Sequence, residues 1–437
     1  MKTRRDFLRS TVLGASATWT VPLFIERTFG QLHEGARDLA IQPVTGKDDT
    51  ILVVLQLAGG NDGLNTLVPY ADDAYHIARP RIGKKEKEII KLSDHVGLNA
   101  AMPYLGSMFK DGNLGIVQGV GYPNPNRSHF VSTSIWETAD TTNHSNTGWL
   151  GRYFDNACPG ADPTVGISFN KTQPEAFGAD KNPGVCLSSP ELYRWIYGGG
   201  EKDQAEEFFA DLNKPDADHD EPNNGGSIAM PAGGKVGGIS GEGNLAFLER
   251  VALDAQVSSK QILELAAKHK TSIQYEGTPL ARNLNLVARM IAGSMPTRVY
   301  YVSHGGFDTH NQQVNSHDRL LGQMDSALKS FFADLKQQGN DKRVVLMTFS
   351  EFGRRVSENA SAGTDHGKAS CLFVAGASVK GGLHGSYPSL TDLSEGDIKH
   401  TVDFRSVYGT VLADWLKAPN MKPILGANYP KLGLIRA

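Results

Sequence analysis

TRVYYVSHGGFDTHNQQVNSHDRLLGQMDSALKSFFADLKQQGNDKRVVLMTFSEFG, residues 297–353, holds two apolar runs separated by a long amphipathic stretch. The runs at 299–303 and 343–349 are too short and too continuously apolar for surface helices and suit strands buried on both faces. Between them, from His317 to Gln338, Leu320, Leu321, Met324, Leu328, Phe331, Phe332 and Leu335 recur at helical spacing. Strand, helix, strand in that order predicts a βαβ unit of a mainly parallel sheet.

The same grammar extends in both directions. Ile51–Leu57 and Leu114–Val120 read as further buried strands, the second preceded by a short helical pattern, AMPYLGSMF, and CLFVAG from Cys371 reads as another. Residues 280–292 and about 403–416 read as helices, as does 245–273, whereas about 208–243 is glycine-rich and without period, an exposed insertion. The expectation is an α/β fold, a large mostly parallel or mixed sheet between helices, formed by one domain over 48–437. No internal repeat is present.

Composition narrows the function classes. A chain of 437 residues with 40% apolar and 21% charged residues is globular, and a net charge of -3 gives no basis for binding nucleic acid. Arg4 and Arg5 precede a modest apolar run, Val12–Phe24, that is too short and interrupted to anchor the chain in a bilayer. Thr-Arg-Arg-Asp-Phe-Leu resembles a twin-arginine export signal, so residues 1–30 are expected to address the chain to that export machinery, folded, for a periplasmic or secreted destination. A plain amphipathic helix is the alternative. Cys158, Cys186 and Cys371 allow at most one disulfide, with Cys158 and Cys186 favoured because both lie in loop-like sequence.

Chemistry-bearing side chains concentrate where the strands end. Asp62 follows the first strand in AGGNDG; Asp308 and His310 follow the strand at 299–303; Glu351 and Arg354 follow that at 343–349; Asp365 and His366 precede CLFVAG, and His384 follows it. In an α/β sheet such ends share one crevice. Carboxylates with imidazoles suit zinc, manganese or iron. Asp308 and His310 are two apart and share a side of an extended segment. Each motif also has a plainer reading: GGNDG as a tight turn, His384 as an exposed histidine, Glu351 as a partner of Arg354 or Arg355. Ser128, beside Arg127 and His129, stands at a predicted helix start, as a nucleophile or an ordinary N-cap. His129 either orients it or packs on Trp136.

LAGGNDGLNTLVP, NRSHF, HGGFDTHNQQ, FSEFGRRVSENASAGTDHGKAS and VKGGLHGSYPSL, with the twin-arginine start and DFRSVYGTVLADWL, resemble the DUF1501 family over nearly the whole chain apart from the insertion. That family is similar in turn to the alkaline phosphatase and sulfatase superfamily. The resemblance implies an alkaline-phosphatase-like fold and a hydrolase of phosphate or sulfate esters using two divalent ions, zinc or manganese. It implies one ion on Asp308, His310 and His384, the other on Asp62, Asp365 and His366, Ser128 as nucleophile, and Arg127 or Arg354 on the anion. Small anionic esters or cell-envelope components are the implied substrates. Against it, a single residue separates Asp308 from His310, and no sulfatase maturation motif surrounds Ser128. A non-catalytic exported binding or assembly protein on a hydrolase fold is the rival expectation; a metal hydrolase of another ester or an amide is a third.

Overall fold

Ile51–Ala58 (β1) is a run of aliphatic residues buried on both faces, which only an interior strand with parallel neighbours accommodates. The computed structural model describes residues 50–187 and 264–436, Ala266 excepted; the predicted export signal, the predicted insertion and most of the helix read at 245–273 lie outside them. The other strands are β2 (Leu67–Val68), β3 (Ile89–Lys91), β4 (Gly97–Asn99), β5 (Leu114–Gly121), β6 (Gly166–Ser168), β7 (Val185–Cys186), β8 (Val299–Gly305), β9 (Val344–Phe349), β10 (Ser370–Ala375), β11 (Gly382–His384), β12 (Leu393–Ser394), β13 (Asp397–Ile398) and β14 (Val402–Asp403). The main sheet has nine strands in the order β11-β5-β10-β9-β1-β8-β6-β7, with β14 also on β5. β10 alone runs against its neighbours. The class is therefore α/β with one large mixed sheet, as the sequence predicts.

Helices α1 (Gly63–Thr66), α2 (Asp73–Ala78), α3 (Pro103–Lys110), α4 (His129–Thr138), α5 (Trp149–Ala157), α6 (Pro279–Ala292), α7 (Gln313–Gln338) and α8 (Phe404–Thr410) flank the sheets. The α6 start is written locally: Thr278 accepts from the Ala281 N–H, and Pro279 occupies the first turn, where a missing N–H costs nothing. The α7 stripe read from the sequence is buried from Leu320 to Leu335, and Gly339, at φ 73°, ends the helix in the left-handed conformation glycine adopts most readily. Leu52 and Val54 share a core with Trp136, Trp149 and Tyr408. There Trp136 stacks on Phe404 and Trp149 on Tyr408, which ties α4, α5 and α8 to the sheet. Among the described residues no helix is long and apolar enough to cross a membrane.

Two local expectations need correction. Regular helix over 403–416 gives way after Thr410 to a wider helical turn, Val411–Trp415. Cys158 and Cys186 are thiols rather than a disulfide. Cys158 is buried at the end of α5, and the Cys186 thiol, on β7, donates to the Asn170 carbonyl at 3.4 Å.

Candidate metal centre

Parallel strands end at a common edge, and an antiparallel strand begins there. Chain leaving β1, β5, β8 and β9, and chain entering β10, therefore meets along one margin of the sheet. Four side chains from those segments converge. Asp308 Oδ1 lies 3.0 Å from His310 Nε2, 3.2 Å from His366 Nε2 and 3.5 Å from His129 Nε2, and the two Nε2 atoms of His310 and His366 are 2.9 Å apart. His129, Asp308 and His366 form a group able to hold a metal ion.

The remaining nitrogen of each ring fixes its protonation. His129 Nδ1 donates to Glu351 Oε1 at 2.8 Å, His310 Nδ1 to Asp365 Oδ1 at 3.1 Å, and His366 Nδ1 to the Arg127 carbonyl at 2.8 Å. A carboxylate and a carbonyl only accept, so each neutral ring carries its hydrogen on Nδ1 and turns the Nε2 lone pair toward Asp308. Three lone pairs thus surround Asp308 Oδ1, an arrangement that repels itself until a cation or protons enter. It is also how metal-binding histidines are oriented. The donor set of that triad, two imidazoles and one carboxylate, fits a borderline divalent ion such as zinc.

Neighbouring groups set the charge balance. Burial works against ionisation of Asp308, but the Arg354 guanidinium, through its hydrogen bond and its charge, holds the carboxyl down to about 2. Burial lowers the basicity of His366 in spite of the Arg127 carbonyl, which favours the neutral ring a metal needs. Phe352, itself buried, lies against both His129 and His366, at ring separations of 4.9 and 4.5 Å.

Glycines bring the edge together. A Cβ at Gly59, where φ is 116°, would fall 2.5 Å from the Asp308 nitrogen, so the turn after β1 and the loop after β8 approach only because that carbon is missing. The Gly59 N–H meanwhile donates to Glu351 Oε1 at 2.9 Å. Both loops are further secured through Gln313. Its Oε1 accepts from Thr309, between Asp308 and His310, at 3.1 Å and from Thr364 at 2.6 Å, and its Nε2 donates to Asp62.

The other expected residues are placed as follows. Asp62 is fully buried, caps α1 at Leu64, pairs with Arg79 at 2.6 Å and braces the loops through Gln313. Despite burial, the Arg79 charge keeps its carboxyl below the usual range. Asp365 stands behind His310, where Asn359 also donates to it at 3.1 Å. His384 pairs with Val117, four residues short of the end of β5 and so about 13 Å from the edge; its Nε2 contacts the Lys380 carbonyl at 3.0 Å. The ion sets built on Asp62 and on His384 are thus not brought together. Arg354 is buried and directs its Nε, Nη1 and Nη2 to the carbonyls of Gly59, Gly60, Phe307 and Thr364 and to Asp308, so the protein's own acceptors engage all three nitrogens. The Arg127 side chain turns to Glu395 and Asp397. Ser128 is the N-cap of α4, exposed, with no capping bond from its hydroxyl. His129 as a donor and Glu351 as its support are roles that sequence reasoning missed, having read His129 as orienting Ser128 or packing on Trp136 and Glu351 as a partner of Arg354 or Arg355. The NRSHF motif beside a predicted helix start was the available signal.

With this geometry in view, the class is an α/β protein carrying, among its described residues, one candidate metal centre at the carboxyl edge of its sheet. Residues 246–416 match the model of the family described as "Protein of unknown function (DUF1501)". This span includes Asp308, His310, Glu351, Asp365 and His366 but not His129, and is shorter than the near-complete coverage the motifs led us to expect. No curated protein matches the chain. Solved structures that align with it include Ps i-CgsB (11% identity, 87% of this chain and 75% of that one, TM-score 0.39). Alkaline phosphatase from the Antarctic bacterium TAB5 (10%, 76% and 93%, 0.31) and an alkaline phosphatase superfamily protein from Vibrio parahaemolyticus (7%, 92% and 75%, 0.35) also align. Likeness of that degree carries no argument about activity, which has to come from the site.

Proposed function

We propose that this protein is a metal-dependent hydrolase of phosphate or sulfate esters, with one divalent ion, zinc or manganese, held by His129, His310, His366 and Asp308. The observation that carries the proposal is the tautomer lock: three Nδ1 atoms each donate to an acceptor-only oxygen, so three Nε2 lone pairs are preset around Asp308 Oδ1. An ion in that position supplies Lewis acidity toward an ester oxygen. Glu351 and Asp365 keep two of the rings oriented, while Arg354 holds the Asp308 carboxylate in place. Ser128, one residue from His129, offers an exposed hydroxyl as the attacking group. The twin-arginine-like start supports export in the folded state to the periplasm or beyond.

A second reading is favoured by one contact. Arg354 Nη2 lies 2.8 Å from the same Asp308 oxygen that the histidines face, so a resident cation already balances that carboxylate. On this reading the cluster is a hydrogen-bonded brace in an exported binding protein. Elemental analysis of chelator-free protein, followed by assay of the wild type and Ser128→Ala on generic phosphate and sulfate esters, separates the two. The hydrolase reading expects one ion per chain in both proteins and turnover only in the wild type. Absence of ion and turnover, even after zinc or manganese is supplied, favours the binding protein.

A further inference from the structure

Beside the cluster is a second group of charges that the hydrolytic proposal does not use. Arg127 and Lys368 each stand two residues from a histidine of the candidate centre, within ~7 Å along the chain. Both side chains point to the hairpin β12–β13, whose two-residue loop is Glu395 (φ 56°) and Gly396 (φ 83°). Lys368 Nζ lies 3.1 Å from Glu395 Oε2 and 3.0 Å from Ser394 Oγ, and Arg127 Nη2 lies 3.4 Å from the same Glu395 oxygen.

The two carboxylates of the hairpin differ in kind. Asp397 is fully buried and bound to Arg127, with Arg355 at 3.9 Å, and is part of the hairpin's attachment. The Glu395 side chain is 74% exposed although the lysine it contacts is only 13% exposed. It also occupies a left-handed turn position that asparagine or glycine fills at lower cost. On the donor side Arg127 Nε is buried and has no hydrogen-bond partner, and on the acceptor side the same is true of Asp397 Oδ1, which faces Arg355 at 3.9 Å. A nearly dry ammonium, a guanidinium edge with a spare N–H, and an exposed carboxylate between them and solvent describe a site for an oxyanion.

We propose that Arg127 and Lys368 form an oxyanion subsite beside the metal centre, suited to a second phosphate or sulfate group of the substrate, and that Glu395 occupies it as an internal stand-in. The position of the subsite gains its meaning from the hydrolase reading, since the Arg127 carbonyl also holds His366; its existence does not depend on a metal. A tetrahedral oxyanion brings more acceptor oxygens than Glu395 offers, enough for Lys368 Nζ, Arg127 Nη2 and the spare Nε at once. Binding there displaces the Glu395 carboxylate into solvent, where its charge is hydrated.

The test uses the full chain treated with chelator and titrated calorimetrically with inorganic phosphate and, separately, sulfate. Glu395→Gln is expected to bind phosphate about five-fold tighter than wild type, the competition a half-exposed ion pair exerts. The gain is expected to vanish in Glu395→Gln with Lys368→Gln and to survive with Lys368→Arg; thermal melts of each variant confirm that it is folded. Unchanged or weaker phosphate binding by Glu395→Gln, no saturable binding, or a gain that persists without a cation at 368 overturns the subsite. Zinc titration of the same preparations reads the other claim independently: phosphate gain without zinc uptake sinks the metal centre alone, and zinc uptake without phosphate gain sinks the subsite alone.

Discussion

Replacing Glu351 by Gln probes the tautomer lock with little change of shape. Glu351 is buried, and its Oε1 accepts from His129 Nδ1 at 2.8 Å and from the Gly59 N–H at 2.9 Å. A glutamine carbonyl can retain both bonds, so packing and the backbone partner are kept and what is lost is the negative charge that makes His129 a stronger donor to an ion. Loss of such support costs about 10–100-fold in metal affinity, a shift of ~1.4–2.7 kcal/mol. The unfolding free energy of the metal-free protein is expected to change by about 1 kcal/mol or less, because both hydrogen bonds survive in neutral form. Competition with a chromophoric zinc chelator near neutral pH gives the affinity, and urea melts of stripped protein give the stability. Zinc affinity within two-fold of wild type, with His129→Ala equally silent, would refute the argument that Glu351 acts on an ion through His129.

Other outcomes follow from buried charges and from the chain's start. Burial, only partly offset by the Tyr301 hydroxyl at 2.7 Å, pushes the Glu137 carboxyl up to about 7 from an ordinary 4.5. The native state therefore holds this proton where the unfolded chain has lost it: the contribution is complete below pH 4.5 and is lost as pH rises through about 7. Glu137→Gln should remove about 3 kcal/mol of this decline between pH 4.5 and 8, and an unflattened stability profile would contradict it. Asp62→Asn leaves the buried Arg79 without its counter-charge and should cost about 3–5 kcal/mol in urea melts, whereas His384→Ala should leave zinc stoichiometry and affinity at wild-type values. Substituting Arg4 and Arg5 together by Lys should hold the protein in the cytoplasm in a fractionation experiment, and unimpaired export would remove the twin-arginine reading.

The fold was largely legible because its signals are local. A buried parallel strand must be apolar throughout, so Ile51–Ala58 announces itself, and the α7 stripe repeats often enough over 26 residues to fix its inward face. The site was legible only in part. Asp308, His310 and His366 lie next to strand ends, and edge position is a property of sequence order. Distances across the edge are not. Nothing local distinguishes Asp62 from a ligand: its commitment comes from Arg79, seventeen residues on, and from Gln313, 251 residues away. The register of β11 on β5, which carries His384 away from the edge, is equally a matter of pairing. Arg354 looked available to an anion because its sequence neighbours are polar, yet its acceptors are mostly backbone carbonyls of distant turns.

The central claim is most directly tested by anomalous diffraction at the zinc edge from crystals of the full chain grown with zinc. The account predicts one strong peak bounded by the Nε2 atoms of His129, His310 and His366 and a carboxylate oxygen of Asp308, at about 2.0–2.2 Å from each. No peak at that position, or zinc held elsewhere while the four side chains keep contact with one another, would contradict it.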